Sequence, residues 1–153
     1  MDSLNEMFLD NFENNSFEKI KDKVKKEEWL EILNGLCYIN EKNVILNYIY
    51  FKHVAQEQTY AYILNYITNN IDNVLTKNDD FIVHINMKTL TLFDIDKHKK
   101  FIQYISEFLK EKYHEKLAKC YVYNAPFIFT QFFSIVSMFI DKETQKKIVL
   151  VNK

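Results

Sequence analysis

Histidines, cysteines and carboxylates are the side chains in this sequence that could do acid–base, nucleophilic or metal chemistry. His84, His98 and His114 lie near Asp80, Asp94, Asp96 and Glu115, and each could be drawn as half of an acid–base pair. No nucleophile accompanies them. Ser134 and Ser137 fall in an apolar helical stretch without the strained turn that exposes a catalytic serine, and Cys120 lies mid-strand between apolar neighbours. Cys37 and Cys120 are isolated, have no CxxC spacing, and stand apart from the scattered histidines. Buried free thiols in a reducing compartment are therefore expected, not a zinc site. The expectation is a protein without catalytic residues, metal or cofactor.

Other residue types exclude further classes. The chain holds a single glycine, Gly35, so neither a dinucleotide-binding fingerprint nor a P-loop can be written. All 20 basic residues are lysine, which weakens any case for bidentate recognition of phosphate or guanine. A net charge of -1 gives no general attraction to nucleic acid, and no nucleic-acid partner is expected. The acidic start MDSLNEMFLD lacks a signal-peptide pattern, and no apolar run approaches the ~20 residues of a membrane span. A soluble cytoplasmic protein is the expectation. With 153 residues and 48% apolar composition, one compact core is within reach.

The elements that would position these groups alternate in type. Leu4, Met7, Phe8 and Phe12 share a helical face. A second helix is predicted from Ser16 to Leu33, with Phe17, Ile20, Val24, Trp29, Leu30 and Leu33 inward, and Asn34-Gly35 ending it through a left-handed glycine. Its lysines, Lys19 to Lys26, form a solvated face. Residues 36–40 and 44–52 read as strands about a polar turn. Residues 55–75 return to helical spacing, 81–87 is a strand apolar on both faces, and a helix capped by Asp94 or Asp96 runs to Tyr113. Strands at 117–123 and 147–151 close the pattern. Such alternation implies α/β architecture: a mostly parallel sheet with helices packed on it, preceded by a short N-terminal helical region.

The segment Phe127 to Ile140 stands out. Only Thr130, Gln131, Ser134 and Ser137 are polar, so its apolar arc is wider than one sheet face requires. Such a helix is sandwiched in a core, covers an apolar ligand, or enters a bilayer interface.

The residues around it, YHEKLAKCYVYNAPFIFTQFF followed by FIDKETQKKIVLV, resemble the signature of the CRAL-TRIO lipid-binding family, which includes phosphatidylinositol transfer proteins. Tyr113, Glu115, Lys116 and Lys119 match the family's first charged run, and Asn124-Ala125-Pro126 matches a strand end. Phe127 to Ile140 matches an aromatic gating helix, Asp141 and Thr144 the next turn, and Lys147-Ile148 the last strand. His114 and Lys142 replace prolines usual there. The resemblance implies an N-terminal helical region over residues 1–35 and a CRAL-TRIO-like domain over 36–153. The domain would bind a phospholipid or other lipophile in an apolar pocket beneath the gate and exchange it transiently with a membrane surface. It implies Glu115 and Lys147 as contacts to an inositol phosphate headgroup. It places Phe127, Phe129, Phe132, Phe133, Val136, Phe139 and Ile140 in the pocket and gate. Phe81 to His84 lacks the hydroxyl side chains expected for a choline lipid. The end of the chain two residues after Val151 implies a shortened member with a smaller cavity. The alternative is a scaffold that keeps the fold without the cavity and uses the apolar helix, or the lysine-rich helix ending at Tyr113, to bind a protein partner.

Overall fold

The computed structural model describes residues 3–13 and 17–151. Its centre is a five-stranded sheet in the order β1-β2-β3-β4-β5. The strands are β1 (Cys37–Asn40), β2 (Asn43–Asn47), β3 (Phe81–Asn86), β4 (Leu117–Tyr123) and β5 (Ile148–Val151). β1 and β2 form an antiparallel hairpin, and every later pairing is parallel. The mostly parallel α/β sheet predicted from sequence is the architecture found.

Sequential order in a parallel sheet has a consequence. Right-handed crossovers between adjacent strands keep their helices on one face. Val44, Leu46 and Val83 accordingly pack against α3 (Trp29–Leu36), α4 (Tyr48–Val54), α5 (Tyr60–Leu75) and α7 (Lys99–Lys112). Ile85, Cys120, Val122 and Ile148, on the same face, meet α8 (Phe129–Ser137). The other face carries Tyr38, Ile45, Tyr121, Tyr123 and Val151, which α1 (Ser3–Glu13) covers with Phe8, Leu9 and Phe12. A small second core results, so the sheet is covered on both faces.

Several elements depart from the sequence expectation. α1 buries Asn5, Phe8, Leu9 and Phe12, whereas Leu4 and Met7 are exposed, so its inward face is rotated from the predicted one. The predicted helix from Ser16 is two helices, α2 (Phe17–Lys25) and α3; Ser16 itself lies outside the described residues. The break falls at Glu27, whose φ of 55° cannot continue a right-handed helix, and it leaves Trp29 and Leu30 exposed. Lys23 and Lys26 pair with Glu31 and Asp22 on the solvated side.

Gly35 is not a left-handed terminator either. α3 runs through it to Leu36, and Cys37 is already extended. Glycine stands there because the Tyr50 ring occupies the space a Cβ would need. Tyr50 is in turn helical, although residues 48–52 read as strand. β2 must leave the sheet at Asn47, where its pairing with Asn86 ends, and tertiary context overrides β-propensity. The helix ending at Lys112 is also divided. Thr91, not Asp94 or Asp96, caps α6 (Leu92–Lys97), and Asp94 completes the capping box from the third position.

Candidate functional site

Beneath α8 and α7, over the helix-covered face of the sheet, lies an apolar cavity of about 290 Å3. Its floor is made by alternate strand residues: Val44 and Leu46 on β2, Val83 and Ile85 on β3, Cys120 and Val122 on β4, Ile148 on β5. Parallel pairing sets these in rows across the sheet. α7 supplies Phe101, Ile102 and Ile105, and α8 supplies Phe129, Phe132, Phe133 and Val136. The α8 rings pack against one another at a tilt, with Phe129 5.8 Å from Phe132 and 6.2 Å from Phe133 between centroids. Only Phe129 of the α8 residues is fully buried; the others are half-covered or exposed. α8 is therefore a wall of the cavity on one side and open on the other.

Polar groups sit at the two ends. At the edge where β4 and β5 begin, the lining includes Lys110, His114, Glu115, Thr144 and Lys147. Glu115 has a φ of 67°, uncommon for a residue with a side chain. Its carboxylate is 83% exposed and lies 3.7 Å from His114 Nε2, while His114 Nδ1 faces Asp141 at 3.9 Å. Asp141 caps the short helix α9 (Lys142–Lys146), its Oδ1 accepting the Thr144 N–H at 2.7 Å. That bond, aided by the charges of His114 and Lys110, holds the Asp141 carboxyl below its ordinary range. Gln145 Nε2 donates to the carbonyls of Ser137 and Ile140, both at 3.1 Å, and ties the end of the α8 segment to α9.

At the edge where β2 and β3 end, the lining includes Asn47, Tyr48, Asp94 and His98. Asp94 is buried. Its Oδ2 takes the Thr91 N–H at 3.1 Å and the Lys52 ammonium at 3.2 Å, and Lys52 also donates to the Thr89 carbonyl at 2.9 Å. Burial alone would raise the Asp94 pKa, but the neighbouring Tyr48, Lys52 and Thr91 groups outweigh it and hold the carboxyl low. His98 Nδ1 meets the Tyr60 hydroxyl at 2.5 Å, and burial, with Lys97 nearby, lowers its pKa. Cys120 also lines the cavity, where burial pushes its thiol up to about 12. It is therefore a poor nucleophile at neutral pH.

The family model of the CRAL/TRIO domain matches residues 23–153. The chain belongs to the CRAL/TRIO domain family. Fifteen solved chains share the fold, among them the crystal structure of Sfh5, with a TM-score of 0.67 and 17% sequence identity. The match covers 78% of this chain and 48% of that one, so this chain spans about half the length of Sfh5. No curated protein matches the sequence significantly.

Within this CRAL/TRIO fold, seven of the nine residues expected at the site converge: Glu115 and Lys147 at one end, and Phe129, Phe132, Phe133, Val136 and Ile140 along the wall. Two do not. Phe127 is 92% exposed, because Pro126 to Ile128 is a turn and α8 begins only at Phe129. Phe139 lies past the helix end and lines a separate groove with Glu107, Glu111 and Met138. Lys110 and Ile140 belong to both spaces, so the groove adjoins the cavity between α7 and the end of α8. The drawn acid–base pairs are only partly assembled. His84 is bonded to Tyr123 and Asn43 on the far face of the sheet, and His98 to Tyr60. Sequence reasoning missed the second polar end, Tyr48 and Asp94 with Lys52. The only signal was a carboxylate three residues into a helix after threonine, which reads equally well as a cap.

Proposed function

We propose that this chain binds a lipophile, foremost a phosphatidylinositol-type phospholipid, in the cavity under α8 and presents or transfers it at the cytoplasmic surface of membranes. The carrying observation is the unfilled apolar space itself. Packing α8 as an ordinary core helix would leave no cavity, since protein interiors are close-packed with few voids larger than a water molecule. Here about 290 Å3 stays open among apolar side chains.

Lys147 and Glu115 supply what an inositol phosphate needs: an ammonium for the phosphodiester and an exposed carboxylate to accept ring hydroxyls. Val83 and Phe81 face the cavity from β3 where a choline lipid would want hydroxyls, which favours inositol over choline. The volume sits at the low end of the ~300–1,000 Å3 typical of ligand pockets. A two-chain lipid therefore requires α8 to swing outward. Its half-covered outer side and the turn at Pro126 to Ile128 support such a motion. No helix among the described residues is long and apolar enough to cross a membrane.

Native mass spectrometry of the purified chain, followed by liposome-to-liposome transfer of labelled phosphatidylinositol and phosphatidylcholine, tests the reading. Copurified lipid and preferential inositol-lipid transfer are expected. Absence of any bound or transferred lipid overturns it and leaves a CRAL/TRIO scaffold whose open α8 face contacts a protein partner.

A further inference from the structure

The end of the cavity farthest from Glu115 and Lys147 holds a hydroxyl that completes no hydrogen bond of good geometry. The Tyr48 hydroxyl is buried and has no hydrogen-bond partner among the described residues. It lies close enough to Asp94 for the two to interact, which raises the Tyr48 pKa and helps to keep Asp94 ionised, but it does not reach the distance and angle of a formed hydrogen bond. Both residues line the cavity. A buried hydroxyl left unpaired costs about 1–3 kcal/mol, and native proteins rarely carry that cost without cause.

The surroundings are built rather than incidental. Lys52 is held between the Thr89 carbonyl and Asp94 Oδ2, and the Thr91 N–H also goes to Oδ2. Thr89 reaches this position with a φ of 74°, a strained conformation for a β-branched residue. The carboxylate is thus fixed and ionised at the margin of an apolar space.

We propose that Tyr48 and Asp94 form a second polar anchor in the cavity, one that takes an uncharged hydroxyl group at the tip of a lipophile. A ligand hydroxyl there accepts from the Tyr48 O–H and donates to Asp94. A carboxylate ligand would meet the Asp94 charge and be disfavoured, and a plain hydrocarbon would leave Tyr48 unpaired. The anchor rests on the lipid-binding reading and narrows it: single-chain or rigid alcohols fit the closed cavity without movement of α8.

The test uses the full chain with a neutral fluorescent dye, N-phenylnaphthylamine, in the cavity, displaced by dodecanol, dodecanoate or dodecane. Dodecanol is expected to displace the dye about tenfold more effectively than either of the others, the worth of roughly one net hydrogen bond. In Tyr48→Phe that preference should shrink severalfold, since only the bond to Asp94 remains, with dodecane binding unchanged and thermal stability no lower than in the parent. In Asp94→Asn, dodecanoate should close on dodecanol. Equal binding of dodecanol and dodecane by the parent chain, or a preference undiminished in Tyr48→Phe, overturns the anchor. If phospholipid transfer persists in that case, only the anchor falls. If neither lipid nor alkyl probes bind, the lipid-binding reading falls and takes the anchor with it.

Discussion

Phe8 rests on the ring of His84, with their centroids 4.3 Å apart, across the face of the sheet opposite the cavity. His84 is completely buried there. Its Nε2–H donates to Asn43 Oδ1 at 2.8 Å, and its Nδ1 accepts from the Tyr123 hydroxyl at 2.6 Å, so the neutral ring is fully satisfied. The Asn43 amide nitrogen donates elsewhere, to the Asn40 carbonyl, which fixes that amide's orientation and hence the tautomer.

This arrangement predicts an acid-sensitive fold. Burial lowers the His84 pKa from 6.5 to about 4. Between those values the unfolded chain binds a proton that the folded chain does not, so stability is full above pH 6.5 and declines as pH falls toward 4. The loss from this group is about 2–3 kcal/mol. Urea unfolding at pH 7, 5.5 and 4 measures it, and His84→Gln should flatten the slope in that window. A parent protein whose urea midpoint is constant from pH 7 to 4.5 contradicts the assignment.

The two covers of the sheet should respond differently to substitution. Phe12 is 1% exposed and packs edge-on against Tyr123 at 5.1 Å, so Phe12→Ala should cost ~3–5 kcal/mol. Phe132 is only half-buried and faces the cavity, so Phe132→Asp should cost less in stability while abolishing lipid exchange. Thermal melts beside transfer assays separate the two. Equal destabilisation would mean that α8 is core and not a gate.

How much of this was legible in the sequence follows from which forces act locally. Alternating β-branched runs and the 3.6-residue periodicity of α5 and α7 placed the strands and long helices. The motif around Asn124 to Pro126 placed the cavity wall. What could not be read depended on distant partners. α1 rotates its face because Phe8, Leu9 and Phe12 find Ile45, Tyr123 and Val151, which no local pattern reveals. Tyr48 to Val54 has strand chemistry but turns helical where β3 stops offering partners. Phe127 is as apolar as its neighbours, and only the turn after Pro126 decides that it faces solvent.

Headgroup recognition gives a sharper test of the charged end. Lys147→Ala should reduce phosphatidylinositol transfer by about tenfold or more, since it removes a charge-assisted contact to phosphate. Glu115→Gln should cost less, about threefold, because the carboxylate is 83% exposed and well hydrated. Neither change should alter displacement of an apolar dye. Loss of dye binding in either variant would make these residues structural instead.

Gly35 offers the cleanest test of packing. In an exposed helix, Gly→Ala stabilises by roughly 0.5–1 kcal/mol, through lost flexibility of the unfolded chain. Gly35 is helical with an ordinary negative φ, so propensity alone predicts a gain. Packing predicts the reverse, because the new methyl would fall within the Tyr50 ring, itself only 8% exposed and unable to withdraw. Overpacking of this kind costs about 1–3 kcal/mol, so Gly35→Ala should lower stability on balance. A double-mutant cycle with Tyr50→Leu decides between the two. If the clash is the cause, Gly35→Ala turns neutral or stabilising once Tyr50→Leu has removed the ring, a coupling of at least ~1 kcal/mol. A penalty that persists without the ring would place the strain in the backbone of α3, and the Tyr50 ring would no longer account for the chain's single glycine.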